Sequence, residues 1–99
     1  MNTTINQQLI NLLCDITDPV EMSAAIEMIL TDKEQQEVDK RLKIFNALED
    51  KVAQREISAQ LGVGIATVTR GSKAMHTDSY QLLKAKLAKC RQPDKVKSP

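Results

Sequence analysis

The sequence predicts an all-α protein of six helices that includes a helix-turn-helix. Three observations support this fold class. Apolar residues recur at helical spacing along most of the 99 residues. Helix-start signals stand at Asp18-Pro19 and at Thr31, and Gly62 separates two short apolar segments within residues 54–75. No segment is a confident strand candidate, and no internal repeat is visible.

The first two helices are predicted over about 4–16 and from Pro19 to about Leu30. In the second, Asp18 is the expected N-cap, Pro19 takes the first helical position and Glu21 is the capping-box partner. One face of the first helix holds Ile5, Leu9, Leu12, Leu13 and Ile16. One face of the second holds Met22, Ala25, Ile26 and Ile29.

The third helix is predicted from Thr31, its N-cap, to about Glu49, with Glu34 completing a capping box. Its expected apolar stripe is Val38, Leu42, Phe45 and Leu48, with Ile44 beside it. A sixth helix, capped by Thr77 or Asp78, holds Leu82, Leu83 and Leu87. We expect one domain over 1–90 and a disordered tail over 91–99, which has two prolines and four charges.

Residues 54–75 have the pattern of a helix-turn-helix. Its packing positions are expected to be Ile57, Leu61, Val63 and Val68. Gly62 lies at the turn, where a residue without Cβ adopts positive φ at little cost. The second helix, from Ile65 to about Met75, presents small and hydroxylated side chains suited to close approach to DNA. An ordinary helical hairpin is the alternative for this pattern.

Composition and charge favour a dimer that meets an anionic partner at one end. Aromatic residues are only 2% of the chain, so the core is thin and shared apolar surface is expected. Residues 1–30 hold four acids and no Lys or Arg, whereas residues 54–99 hold nine bases and three acids. This asymmetry suits phosphate binding at the basic end. A merely solvated, lysine-rich last helix is the alternative.

Other classes of protein are not indicated. No apolar run is long enough for a membrane span and no export signal is visible, so a cytoplasmic protein is expected. Cys14 and Cys90 match no metal motif and are expected to be reduced thiols. His76 stands alone, and no catalytic set or phosphate loop is present. We therefore expect no enzyme activity, no metal and no cofactor.

The sequence resembles the tryptophan repressor family in three motifs: QRE at 54–56, LGVGIAT at 61–67 and TRGS at 69–72. The resemblance extends upstream through Leu30, Thr31 and KRLKIF at 40–45. It implies an intertwined homodimer that binds double-stranded operator DNA with L-tryptophan as corepressor and controls tryptophan biosynthesis or transport genes. The ligand would hold the two helix-turn-helix units of the dimer about 34 Å apart. It would thereby shift the population towards the DNA-binding state.

The resemblance also implies which residues contact DNA. Arg55 matches a base-reading arginine, and a guanidinium can donate two hydrogen bonds to guanine. A salt bridge at a helix start is the alternative for Arg55. The other positions carried over are base-facing or phosphate-facing: Gln54, Ile65, Ala66, Thr67, Thr69 and Lys73.

For the ligand, the matching arginines are Arg41 and Arg70, which in the family sandwich the indole ring. Without the resemblance, two arginines at the edges of apolar stripes are ordinarily just solvated. In the implied site, each guanidinium group would stack on one face of the indole ring and contribute about 0.5 to 2 kcal/mol. Backbone carbonyls of Ile29, Leu30 and Thr31 match acceptors for the ligand amino group. The remaining positions of the implied site are Phe45, Gly71 and Ala74.

The sequence departs from the family at several positions. The connection before Gln54 is one residue shorter, with Asp50-Lys51 where a Gly is usual, and Ala53 stands at a usual Ser or Thr N-cap. Ser58 stands where a phosphate-contacting lysine occurs. Lys73, Ala74 and Phe45 replace Asn, Ser and a smaller branched residue. Two alternatives follow: a regulator of the same fold with a different effector or none, and a helical protein-interaction module.

Overall fold

The computed structural model describes residues 6–90, which form six α-helices and no strand. The helices are α1 (Gln7–Asp15), α2 (Pro19–Ile29), α3 (Asp32–Glu49), α4 (Gln54–Leu61), α5 (Ile65–Ala74) and α6 (Asp78–Cys90). The predicted all-α class is confirmed. The first residues of the predicted first helix and the tail over 91–99 lie outside the described residues. No helix in this part of the chain is long and apolar enough to cross a membrane.

The starts of α2 and α3 follow the predicted capping signals, whereas α1 begins after its N-cap Asn6, later than predicted. At α2, the Asp18 carboxylate accepts a hydrogen bond from the Glu21 N–H at 2.8 Å. At α3, Thr31 and Glu34 form both bonds of a capping box, at 2.9 and 3.1 Å. Each bond satisfies an N–H that has no partner within its helix. These side chains therefore fix where α2 and α3 begin.

The chain divides into two compact units, whose described parts are residues 6–37 and 38–90. In the first unit, Ala25 is the one buried apolar residue among those described. Several large apolar side chains of α1 and α2 stay at least a third exposed: Leu9, Ile10, Leu12, Leu13, Ile26 and Ile29. The first unit therefore carries an apolar surface that the single chain leaves in contact with solvent.

The second unit has its core at Ile44, Ile57 and Val68, which are almost completely buried. Partly buried residues pack around these three: Ala47, Leu48, Val52, Leu61 and Val63. The prediction of which residues form the buried stripe of α3 was wrong at Val38 and Leu42, and Ile44 is its most buried residue. Ile44 is 1% exposed, whereas Val38 and Leu42 are 38% and 42% exposed. The face of α3 that packs on the helix-turn-helix follows Ile44, Ala47 and Leu48, at i, i+3 and i+4.

Gly71 allows α5 to approach α3 closely. A Cβ built at Gly71 would lie 2.7 Å from Cγ2 of Ile44, well inside van der Waals contact. Both residues are buried. The glycine therefore sets the distance between these two helices.

The start of α6 is fixed to α3 by an aromatic residue. Tyr80 is 7% exposed, and its ring centroid lies 5.5 Å from that of Phe45. The Tyr80 hydroxyl donates a hydrogen bond to the Glu49 carboxylate at 2.6 Å. Further along the helix, Leu82 and Leu83 are 82% and 47% exposed. The first turn of α6 therefore packs on the unit, while these two leucines face solvent in the single chain.

Candidate nucleic-acid interface and effector residues

The turn between α4 and α5 is closed by backbone and side-chain hydrogen bonds. Gly62 has a φ of 67°, as predicted for a left-handed turn residue. The N–H groups of Gly62 and Val63 both donate to the Ser58 carbonyl, at 3.0 and 3.2 Å. The Ser58 hydroxyl donates in turn to the Val63 carbonyl. The sequence marked Ser58 only as a missing lysine, whereas the structure gives it a role in the turn.

The N-terminal half of α5 presents the side chains expected of a recognition helix. Ile65, Ala66 and Thr67 are exposed, and Ile65 is 49% exposed although it is a large apolar residue. The neighbouring Val68 is fully buried in the core. The core therefore holds one face of α5 and leaves the opposite face at its N-terminal end accessible.

Gln54 and Thr69, both predicted to contact phosphate, are bonded to each other. The Thr69 hydroxyl donates to Oε1 of Gln54 at 2.9 Å, and both residues are half-buried. The bond joins the first residue of α4 to the middle of α5. Sequence reasoning missed it because the two residues are fifteen positions apart.

Arg55 lies in the first turn of α4 and is exposed. Two ion pairs occur among residues 6–90, Lys43–Asp39 and Lys84–Glu49, so Arg55 forms no salt bridge there. Ala53 is the N-cap of α4 and supplies no capping bond, as its side chain predicts. The guanidinium group of Arg55 is therefore available to a partner.

Charge on the helix-turn-helix is predominantly positive. Residues 54–75 include three basic side chains, Arg55, Arg70 and Lys73, and one acid, Glu56. All four are exposed. Glu56 accepts a hydrogen bond from the Gln60 side chain on the same helix, at 3.1 Å. The accessible charge of this segment suits a polyanion.

The predicted effector residues of the second unit differ in accessibility. Arg41 and Arg70 are exposed, and neither belongs to an ion pair in the described part of the chain. Phe45 is half-buried against Tyr80, and Gly71 is buried against Ile44. Ala74 is half-buried, and its carbonyl accepts a hydrogen bond from the Thr77 hydroxyl at 2.7 Å. The two arginines are thus the accessible polar members of this set.

The predicted carbonyl acceptors lie in the first unit. The Leu30 carbonyl accepts a bond from the Gln35 side-chain amide at 3.2 Å, and the Thr31 carbonyl accepts one from the Gln35 N–H at 2.9 Å. A carbonyl oxygen has two lone pairs, so each can accept one further donor. Gln35 was not among the predicted residues. Ile29, the last residue of α2, is 41% exposed.

Comparison with known proteins identifies relatives along most of the chain. Residues 5–90 match the family profile described as Trp repressor protein. A Trp operon repressor homolog of Vibrio parahaemolyticus is 36% identical over 74 residues, which cover 74% of this chain and 72% of the relative. Homologs of the same name are 35% identical over 78 residues in Aliivibrio fischeri and 32% identical over 76 residues in Xylella fastidiosa. These two alignments cover 76% of this chain, and 72% and 83% of the respective relatives. No solved structure gives a significant match.

Proposed function

The chain belongs to the Trp repressor protein family and is a repressor-type regulator, and we propose that it uses L-tryptophan as corepressor on operator DNA. The operators would control tryptophan biosynthesis or transport genes. The observation that carries the DNA-binding part of this proposal is the helix-turn-helix itself. Its recognition helix is held by the core at Val68 and exposes Ile65, Ala66 and Thr67. The proposed location is the cytoplasm, where a bacterial repressor meets its operator DNA.

For DNA binding, the proposal assigns separate tasks to the exposed residues. Arg55 reads a base edge in the major groove, since its guanidinium group is engaged by no ion pair in the described part. Ile65 and Ala66 lie against bases, where small and apolar surface contacts a thymine methyl group. Lys73, Thr67 and the Gln54–Thr69 pair lie near the phosphates. Contacts to phosphate supply most of the affinity for DNA.

For tryptophan, the proposal rests on Arg41 and Arg70. Both guanidinium groups are exposed and free of ion pairs within residues 6–90, and neither belongs to the core. A planar guanidinium stacks on an indole face, and a second arginine can pair with the ligand carboxylate. The carbonyls of Ile29, Leu30 and Thr31 are the proposed acceptors for the ligand ammonium. A helix C-terminus, where α2 ends, is favourable for a cation.

The proposal includes a homodimer. Large apolar side chains of α1 and α2 in the first unit, and Leu82 and Leu83 of α6 in the second, are exposed to solvent in the single chain. A second copy of the chain would bury these residues. A two-fold axis would then place two recognition helices at the spacing of successive major grooves.

Calorimetric titration with L-tryptophan tests the corepressor assignment. Saturable binding near one ligand per chain is expected, with L-leucine as the non-indole control. Arg41→Ala and Arg70→Ala should each abolish or strongly weaken binding. Lys43→Ala is the matched control, because Lys43 is an exposed cation on α3 that pairs with Asp39. Unchanged tryptophan affinity in both arginine variants would refute the assignment of the site.

A second candidate function is a DNA-binding regulator of the same fold with another effector or none. Two observations favour it: Ala74 has no hydroxyl for a ligand amino group, and the Phe45 ring is already packed against Tyr80. Operator binding that is equally tight with and without tryptophan would support this candidate. A protein-interaction module is distinguished by salt, because DNA affinity falls steeply as salt rises whereas an apolar interface is much less sensitive.

A further inference from the structure

The bond between Gln54 and Thr69 assigns different tasks to two residues for which the family resemblance implies the same role, contact with the DNA backbone. The Thr69 hydroxyl carries a single proton, and that proton is donated to Oε1 of Gln54 at 2.9 Å. A phosphate oxygen can only accept a hydrogen bond. Thr69 therefore cannot bond to a phosphate while it holds Gln54. The Nε2 group of Gln54 keeps its two protons for another acceptor.

The Gln54–Thr69 bond connects α4 and α5 at the end of α4 that lies away from the turn. Gln54 is the first residue of α4, and Thr69 follows the buried Val68 in α5. The opposite end of α4 is tied to the turn by Ser58 and Gly62. With α4 held at the turn and by the core, a side-chain bond at its other end adds a restraint on the rotation of α5 about its own axis, beside the packing of Val68.

We propose that Gln54 and Thr69 form a positioning pair that sets the orientation of the recognition helix, with the Gln54 amide as the phosphate donor and Thr69 as its support. The inference rests on the proposed DNA binding. It predicts that the pair contributes to discrimination between sequences, because a rotated α5 presents Ile65 and Ala66 to the wrong base edges. A phosphate contact, in contrast, contributes equally to every sequence.

The test compares two threonines of the same helix. Thr69→Val removes the hydroxyl at nearly constant volume, and Thr67→Val makes the same change at an exposed position of α5 that forms no bond to α4 in the described structure. Each variant, saturated with L-tryptophan, is titrated with a duplex selected from a random library by the wild-type protein under the same condition. The same titration is made with a scrambled duplex of equal length and composition.

Thr69→Val should lower the ratio of affinities, selected over scrambled duplex, about fivefold, the size of one lost hydrogen bond. Any weakening of the Gln54 phosphate contact lowers both affinities by one factor and leaves this ratio unchanged. Thr67→Val should lower both by one common factor. Thr69→Ser, which keeps the hydroxyl, should restore the wild-type ratio. Equal losses on both duplexes for Thr69→Val would overturn the inference.

A double-mutant cycle without DNA tests the bond itself. Urea unfolding of Thr69→Val, Gln54→Met and the double variant, at one protein concentration, should show a coupling of about threefold to tenfold in the unfolding equilibrium constant. Additive effects would overturn the pairing. If the wild-type protein, saturated with L-tryptophan, selects no duplex from the library, the proposed function fails, a result distinct from equal losses in Thr69→Val.

Discussion

Replacing Lys51 with glycine should stabilise the protein. Lys51 has a φ of 65° and is the one non-glycine residue with positive φ in the described part of the chain. The Val52 N–H donates to the Ala47 carbonyl and the Lys51 N–H to the Leu48 carbonyl, both at 3.0 Å. These two bonds form a Schellman motif at the end of α3, with Lys51 at the position where glycine is preferred.

The magnitude follows from two opposing terms. A residue with a Cβ costs about 1 to 2 kcal/mol in the left-handed region. Glycine loses more backbone entropy on folding, by about 0.5 to 1 kcal/mol relative to alanine. Lys51 is exposed, so little packing is lost with its side chain. Taking the midpoints of the two ranges, the expected net gain for Lys51→Gly is about 0.75 kcal/mol, or roughly 3 to 6 °C in melting temperature.

The assay is thermal and urea unfolding at one fixed protein concentration, because a dimer's stability depends on concentration. Lys51→Ala is the matched control: it removes the same charge and keeps the Cβ. Its stability should stay within about 0.5 kcal/mol of the wild type. Equal gains for glycine and alanine would show that the charge of Lys51, and not its φ, limits stability, and would refute the reasoning.

Three further substitutions test the fold around the site. Ala53→Ser should add about 1 kcal/mol by capping α4, measured by urea unfolding with Ala53→Val as a non-capping control. Gly71→Ala should destabilise by about 1 kcal/mol, since an overpacking cost of about 1 to 3 kcal/mol exceeds a helix-propensity gain of about 1 kcal/mol. Adding Ile44→Leu, which has no Cγ2, should recover part of this loss; no recovery would contradict the assigned contact. Tyr80→Phe should cost about 1 to 2 kcal/mol through the bond to Glu49, and an unchanged urea midpoint would contradict that role.

The sequence was sufficient for the succession of helices and for the starts of α2 and α3, but not for the start of α1, whose N-cap is Asn6. Asp18, Thr31 and Gly62 act through short-range backbone chemistry, so their types and spacing alone predict the outcome. The Ile57 and Val68 positions of the helix-turn-helix are likewise confirmed as core. Local rules therefore account for the elements and for which faces of α4 and α5 are buried.

Features that depend on tertiary contact were not predictable in the same way. The stripe of α3 contained enough apolar residues to allow more than one buried face, and the contact with Gly71 selected Ile44. The Gln54–Thr69 bond joins two polar residues with no local signal between them. The DNA and tryptophan contacts of the named residues stay predictions, because they depend on partners and on residue chemistry beyond the fold.

Gly71 and Arg70 show how a family motif separates into fold and function. Gly71 is explained by the 2.7 Å approach of its hypothetical Cβ to Ile44, so its presence in TRGS is evidence for helix packing and says nothing about tryptophan. Arg70 is exposed, lies outside the core and forms no ion pair within residues 6–90. Packing does not require an arginine there. The corepressor proposal therefore depends on Arg70 and Arg41, the two matching residues whose identity is not explained by packing or by ion pairs in the described part of the chain.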